Sequence, residues 1–476
     1  MWRLLCSDFL SHLATSLAAK IISLWFVLAV FGEERSVPWV SGFLTVIAVA
    51  QLLAGLFTGA VSDRHDPIAT MTMACLVRAV ASAGIIAILV FCPTGGFAAV
   101  LAVIALAVIE AMCDTAYLPA AASVSHRLAD GQELVQLLGW LRFFALIGSM
   151  AGPVLAGIGA DRGWFAGTMA LETAALLVAA LILAPIRHSM SRQTARPAEG
   201  FWVTWKAGLR AMVGSESYRV MLPFAILEAV SSSALSMVAI YFFTATLHVS
   251  ATWYGVWNAL VAAGYAIGYL TAPWLSERMR FFKLLALSNL AVSLLLAIIS
   301  VTDSALVAVV VGFSFATSQG VLNPPFQTIF VQAVPSEKVG QAMSVFISVV
   351  GAVGALAVPL WGVVADTLAR HQPTTGIDPY RTILLIIVVV HAAMVVCALA
   401  NRRVRAISIE CWIDLKLSDR APAALSSCPR VVHLLSMVFE GCRPESPGVN
   451  VLARERPCLE HVLALVHLHP RLLHMF

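Results

Sequence analysis

Four polar side chains stand four residues apart near the start of the chain: Asp8, His12, Ser16 and Lys20. On a helix this spacing drifts by only about 40° per step, so all four share one face. An acid, an imidazole, a hydroxyl and an ammonium on one stripe can bind a charged solute or hand on a proton. Glu110 and Asp114 repeat the spacing. Glu228 precedes the cluster Ser231, Ser232, Ser233 and Ser236, and Gln319, Asn323 and Gln327 form another four-residue series. Each group sits inside an apolar run. A charge at mid-bilayer costs about 2.5–3.5 kcal/mol on insertion scales, so each needs a reason.

The 476 residues are 60% hydrophobic and 12% charged, with a mean hydropathy of +0.88. A soluble domain carries about 25% charged residues. Runs of some twenty apolar residues recur, the length that crosses a hydrocarbon core of about 30 Å as helix. They fall near 9–31, 38–61, 68–92, 97–117, 134–159, 164–185, 219–246, 253–275, 282–301, 305–329, 341–366 and 381–400. Backbone polar groups in lipid must be satisfied internally, so these runs read as helices. The expected fold is an all-α polytopic membrane protein of twelve transmembrane helices. The first run contains Lys20 and lacks a following small-residue cleavage site, so it reads as a retained span and not as a signal peptide.

Basic residues give the expected orientation. Loops on the side of the N-terminus carry Arg64, Arg127, Arg187, Arg192, Arg196, Lys206, Arg210, Arg278, Arg280, Lys283, Lys338, Arg402, Arg403 and Arg405. Loops on the other side carry Arg35, Arg162, Arg370 and Arg381. The positive-inside rule puts both ends of the twelve-helix unit in the cytoplasm, in a plasma (inner) membrane. The net charge of +4 reflects this asymmetry and calls for no nucleic-acid partner.

The basic segment 186–218 is the longest between spans and divides them six and six. The halves repeat in part: "GPVLAGIGAD" (152–161) ends the fifth run and "AVPLWGVVAD" (357–366) the eleventh, while "SDRH" (62–65) answers "SERM" (276–279). A duplicated six-helix unit is expected, with bundles over 1–185 and 219–400, a cytoplasmic loop over 186–218 and a poorly ordered cytoplasmic tail over 401–476. Cys6, Cys75, Cys92, Cys113 and Cys397 lie in or beside apolar runs, where a thiol acts as a small hydrophobe. "CLEH" (458–461) has a metal-like spacing without a second close pair, so no metal is expected. No G-x-x-x-x-G-K-[ST] phosphate loop and no catalytic constellation stands out, which argues against ATP-driven transport within this chain and against an enzyme.

One charged knot interrupts the second and third runs: "GAVSDRHDP" (59–67). Gly59, Asp63 and Arg64 make the chain resemble the major facilitator superfamily, whose signature in this loop is a glycine followed by an aspartate and an arginine. The "DR-x-D" version, with "PAAASVSHRLADGQELVQ" (119–136) and "NPPFQTIFVQAVPSEKVGQAMS" (323–344), looks like the branch of siderophore and macrolide exporters. "GSMAGPVLAG" (148–157), with Gly148, Gly152, Pro153 and Gly157, resembles the antiporter motif of exporters in span five. Its glycines make a smooth packing groove and its proline a kink. The resemblance covers about residues 1–400.

The resemblance implies two pseudo-symmetric six-helix bundles with spans one, four, seven and ten facing a central cavity. Asp8, His12, Lys20, Glu110, Glu228, Gln319 and Asn323 are then the proton and substrate residues; Arg78, Arg142 and Glu172 fall on other spans and read as structural. Lys20 and Glu228 are at similar depth and could pair across the bundles. Aromatics such as Trp25 and Phe26 in the cavity would suit many compounds. Independently of the family, Asp63 can cap the start of span three, and Arg64, Asp114 and Arg142 can complete a cytoplasmic latch. The function expected is secondary active transport, proton-driven efflux of a small amphipathic molecule, with no cofactor beyond the proton gradient, the lipid bilayer as surroundings and a monomeric state. An importer or lipid translocator of the same fold, and a non-transporting sensor signalling through the tail, stay open as alternatives.

Overall fold

The computed structural model describes residues 2–62, 66–128, 131–185, 201–334, 339–375 and 378–405. Thirteen long helices follow one another among them: α1 Trp2–Trp25, α2 Gly32–Ser62, α3 Pro67–Phe91, α4 Phe97–Leu128, α5 Gly131–Asp161, α6 Phe165–Leu183, α7 Phe201–Gly214, α8 Glu216–Tyr241, α9 Ala251–Arg278, α10 Phe281–Val301, α11 Ala305–Gln332, α12 Val339–Thr375 and α13 Pro379–Ala400. Twelve of them contain a stretch long and apolar enough to cross a membrane. The expected twelve-span, all-α architecture is therefore what the chain adopts.

Local chemistry sets the helix starts. Asp66 accepts the Ile68 N–H at 3.2 Å and Pro67 occupies the first helical position of α3. Asp378 and Pro379 repeat the device at α13, with the Tyr380 and Arg381 N–H groups at 2.8 and 3.0 Å. Proline has no N–H to leave unpaired there, and the aspartate satisfies donors that have no helical partner. Asp66 thus caps span three; Asp63, the cap expected from the sequence, lies with Arg64 outside the described residues. The turn before α6 uses Gly163 at φ 68°, where a side chain would be strained.

The segment 186–218, read from sequence as a loop, contains α7. Its half-buried Trp205 and Leu209 and its buried Met212 pack in one cluster with residues of α8 and α12, while Lys206 and Arg210 stay exposed. Spacing of three and four residues puts the apolar groups on one side of a helix.

The halves echo each other. In both, a serine joins the first helix to the fifth: Ser16 Oγ donates to the Gly148 carbonyl at 3.3 Å, and Ser233 Oγ to the Gly354 carbonyl at 2.8 Å. α1 and α8 both finish in a single π-helical turn, Phe26–Val30 and Phe242–Thr246. Between the halves, α5 packs on α9 and α2 on α12. The largest apolar core lies where these pairs meet and contains Trp25, Phe26, Phe43, Tyr241 and Phe243, all at or below 2% exposed. Trp25 and Phe26 are therefore core residues and not the cavity aromatics expected. Trp25 is fixed by its Nε1, which donates to the Pro93 carbonyl at 3.0 Å.

Candidate functional site

The glycines of span five set how closely the lining helices approach. α5 continues as helix through Pro153. A Cβ at Gly148 would lie 2.6 Å from the Phe9 carbonyl oxygen, and one at Gly152 would lie 2.8 Å from Leu17 N. Both face α1. A Cβ at Gly157 would lie 2.6 Å from the Ala251 carbonyl oxygen of α9, and Gly255 of α9 lies against the Pro153 carbonyl. The motif read as one groove serves two backbone-to-backbone contacts, one within the first half and one between halves.

This packing corrects the reading of the α1 stripe. Ser16 Oγ bonds the His12 carbonyl of its own helix at 2.8 Å and reaches the Gly148 carbonyl at 3.3 Å, and the His12 Cβ lies over the same glycine. Asp8 is buried at 4% exposure, with its Oδ1 4.0 Å from His12 Nε2. The four residues share a face, but α5 covers part of it. Lys20 lines a cavity together with residues of the second half.

In the first half a polar knot joins α1, α3, α4 and α6. Arg78, fully buried, donates from Nη1 to Asp114 Oδ1 at 2.9 Å and to Ser11 Oγ at 3.0 Å, and from Nη2 to Thr15 Oγ1 at 2.7 Å. Thr15 Oγ1 donates to Asp114 at 2.7 Å. Glu172 accepts from Ser82 at 3.2 Å. Glu110, 6% exposed, has an Oε1 without a hydrogen-bond partner among the described residues. A cavity of about 60 Å³, room for water, is lined by Thr15, Gln51, Arg78, Glu110 and Asp114. Asp114 is engaged by Arg78 of span three, a partner the expected latch did not include. The Arg142 side chain lies outside the described residues, as do Arg64 and the side chains around Gly59. Bonding the guanidinium directly to a carboxylate offsets part of the cost of holding either charge in lipid.

The second half holds two adjoining cavities. One, of about 170 Å³, is lined by Lys20, Ser231, Tyr254, Asn258, Trp257 and His391 among others. The other, of about 290 Å³, is lined by Phe224, Gln319, Asn323, Phe326, Gln327 and Met394 among others. Glu228, Ser232 and Tyr265 line both. Glu228 Oε1 accepts a hydrogen bond from Gln319 Nε2, and its Oε2 lies 4.0 Å from His391 Nε2. Gln327 donates to Asn323 at 3.3 Å. Lys20 does not meet Glu228 here. Its Nζ donates to the Tyr254 hydroxyl at 3.2 Å and lies 5.3 Å from the centre of that ring. The chamber thus offers an ammonium at one wall, a carboxyl at another and aromatic or aliphatic surface between them. That combination suits a small molecule with a polar head and an apolar body.

Sequence reasoning missed Tyr254, Tyr265, Asn289 and His391. The last two had a legible signal: an asparagine and a histidine inside two strongly apolar runs need a reason to be there. They sit on spans nine and twelve, outside the cavity-facing set that the resemblance implies.

A family profile described as Major Facilitator Superfamily matches residues 4–359. No curated protein matches the chain. Among solved structures, the nucleoside transporter NupG is 14% identical and superposes with a TM-score of 0.64 over 84% of this chain and 99% of its own. The peptide transporter POT in complex with sulfate is 12% identical, with a TM-score of 0.64 over 86% of this chain and 95% of its own. A POT family transporter in complex with 5-aminolevulinic acid is 11% identical, with a TM-score of 0.62 over 86% and 96%. At such identities the likeness is one of fold. Twelve spans, the halves' internal repeat and the profile over about three-quarters of the residues agree: the chain belongs to the Major Facilitator Superfamily, as a multi-pass membrane transporter of two pseudo-symmetric six-helix bundles.

Proposed function

We propose that the chain is a proton-driven exporter of a small amphipathic compound, moving it by alternating access through the second-half chamber. The observation that carries this reading is Glu228. It is a carboxyl set between two adjoining cavities, held on one oxygen by Gln319 and lining both chambers. Taking up a proton removes its charge, and losing it restores the charge, so one proton changes what the chamber binds. Phe224, Phe326 and Met394 give the apolar wall, and Lys20 with Tyr254 gives a donor-rich wall for the head group. Export is supported by the span-five pattern of Gly148, Gly152, Pro153 and Gly157. The siderophore and macrolide branch is supported by the loops 119–136 and 323–344. In this reading the chain works as a monomer in the inner membrane, with both ends of the transport unit in the cytoplasm and the proton gradient as its energy source.

The test is transport in everted vesicles from a pump-deficient host, using a panel of macrolides, siderophores and lipophilic dyes. Wild type should accumulate at least one compound, and a protonophore should abolish this. Glu228→Gln should lose gradient-driven accumulation at wild-type abundance. Undiminished accumulation in that variant sinks the proton site, and movement in the opposite sense makes the chain an importer. Removing residues 406–476 should leave flux intact; a tail-driven sensor would lose its response.

A further inference from the structure

His391 of α13 is 1% exposed, in the most apolar span of the chain. A buried imidazole must place both ring nitrogens. Nδ1 lies 2.8 Å from Asn289 Oδ1, on α10. Asn289, itself fully buried, donates from Nδ2 to the Leu285 carbonyl at 2.8 Å, one turn earlier on its own helix. That bond fixes the amide. Its nitrogen is committed to a carbonyl, so the atom turned toward His391 is the oxygen, which only accepts. Nδ1 must then carry the hydrogen. A neutral imidazole has one N–H, so Nε2 holds the free electron pair. Nε2 is the atom that lies 4.0 Å from Glu228 Oε2. On Glu228, Oε1 is taken by Gln319, which leaves Oε2 to carry a proton. Two amides on two helices thus aim one acid oxygen at one basic nitrogen.

We propose that His391 is the proton partner of Glu228, an inference that rests on the reading of Glu228 as the proton site. In the step the Oε2–H bond of Glu228 breaks and a bond from that hydrogen to His391 Nε2 forms. Glu228 becomes a carboxylate and His391 an imidazolium, and the charge of the pair is unchanged. Asn289 Oδ1 accepts the Nδ1–H before and after, so the ring need not turn. The gap of 4.0 Å exceeds a hydrogen bond; closing it by about 1 Å, or bridging it with one water, makes the transfer direct. Beyond this pair, the titratable groups lining the chamber are Lys20 from α1 and Tyr254 and Tyr265 from α9, and Lys20 is committed to Tyr254. α10 and α11 contribute the amides of Asn289 and Gln319. A conformational change that shifts α8 against α13 would make or break the pair, which ties proton movement to the state of the second half.

The experiment uses the purified full chain in detergent and the proton itself as probe. Proton release is followed with a pH dye, and histidine tautomers by nitrogen-15 NMR, with the His391 signal assigned by its loss in His391→Gln. Wild type should show His391 as the Nδ1–H tautomer, and Asn289→Leu should convert it to a mixture. Glu228→Gln should abolish one proton-release step, and His391→Gln should move the midpoint of that step by one pH unit or more. An unmoved midpoint in His391→Gln, with the step lost in Glu228→Gln, overturns the partnership and leaves the reading of Glu228 standing. A step that survives in Glu228→Gln overturns both. An Nε2–H tautomer in wild type overturns the partnership, and should His391→Gln fail to fold, the His391 signal is assigned instead by its shift in Asn289→Leu.

Discussion

Asp161 in the first half and Thr252 in the second are joined by two hydrogen bonds to one carboxylate oxygen: Oδ2 accepts the Thr252 N–H at 3.0 Å and its hydroxyl at 2.5 Å. Oδ1 accepts the Ala251 N–H at 2.6 Å. An acid at the last turn of α5 therefore caps the first turn of α9, where the unpaired N–H groups and the helix dipole favour a negative charge. The Ser36–Tyr241 hydroxyl contact, at 3.1 Å, joins the halves at the same end of the molecule. Asp366, the repeat's counterpart of Asp161, instead bonds Arg370 of its own helix at 2.5 Å. The two bundle interfaces are thus fastened unequally.

Asp161→Ala should loosen that end. A lost cap of this kind costs about 1 kcal/mol, roughly a fivefold population shift. In a cysteine-depleted background, a cysteine at Asn258 should react several-fold faster with an impermeant maleimide once Asp161 is replaced. Equal rates would mean that the cap does not restrain opening.

Arg78 and Asp114 should behave as a unit. Removing one partner leaves the other charge buried, at a cost of about 3–5 kcal/mol. Arg78→Met and Asp114→Asn should each lower the midpoint of thermal unfolding in detergent by more than the pair of substitutions together. Additive losses would show that Ser11 and Thr15 satisfy Arg78 without the acid.

Span five separates two kinds of glycine. Gly152→Leu should impair folding of the first half, because its side chain would meet the α1 backbone. Gly157→Leu should spare that contact and strike α9, so that folded protein accumulates with transport reduced at least tenfold. Gly42→Ala, with open space around it, is the control and should be silent in both assays. Wild-type flux in Gly157→Leu would remove the α5–α9 contact from the transport cycle.

Lys20 and Tyr254 should couple on substrate affinity. Tyr254→Phe keeps the ring under the ammonium and removes the hydroxyl, so it should cost less than Tyr254→Leu. A double-mutant cycle of Lys20→Met with Tyr254→Leu should give an interaction of about 0.5–3 kcal/mol in this state. The same cycle with Glu228→Gln should be near zero, because the two side chains share a chamber without touching. A large Lys20–Glu228 term would show that the transported state brings them together.

The sequence by itself determined the twelve spans, their division into six and six and the restriction of polar groups to a few helix faces. Those follow from the cost of exposing backbone and charge to hydrocarbon, which acts residue by residue and needs no partner to be known. It also marked Glu228, Gln319 and Lys20, since polar atoms in apolar runs are visible without coordinates. Which partner each one takes was decided by tertiary structure alone. Asp114 bonds Arg78 because α3 brings a guanidinium to it. Ser16 meets Gly148 because a glycine lets α5 lie on that stripe. Lys20 finds Tyr254, and Glu228 finds Gln319 beside His391, because α9, α11 and α13 converge there. Helical spacing fixes only the direction in which a side chain leaves its own helix; the group it meets depends on the rotation and depth of neighbouring helices. Those are set by summed side-chain packing over many contacts, and no local pattern in the chain records them.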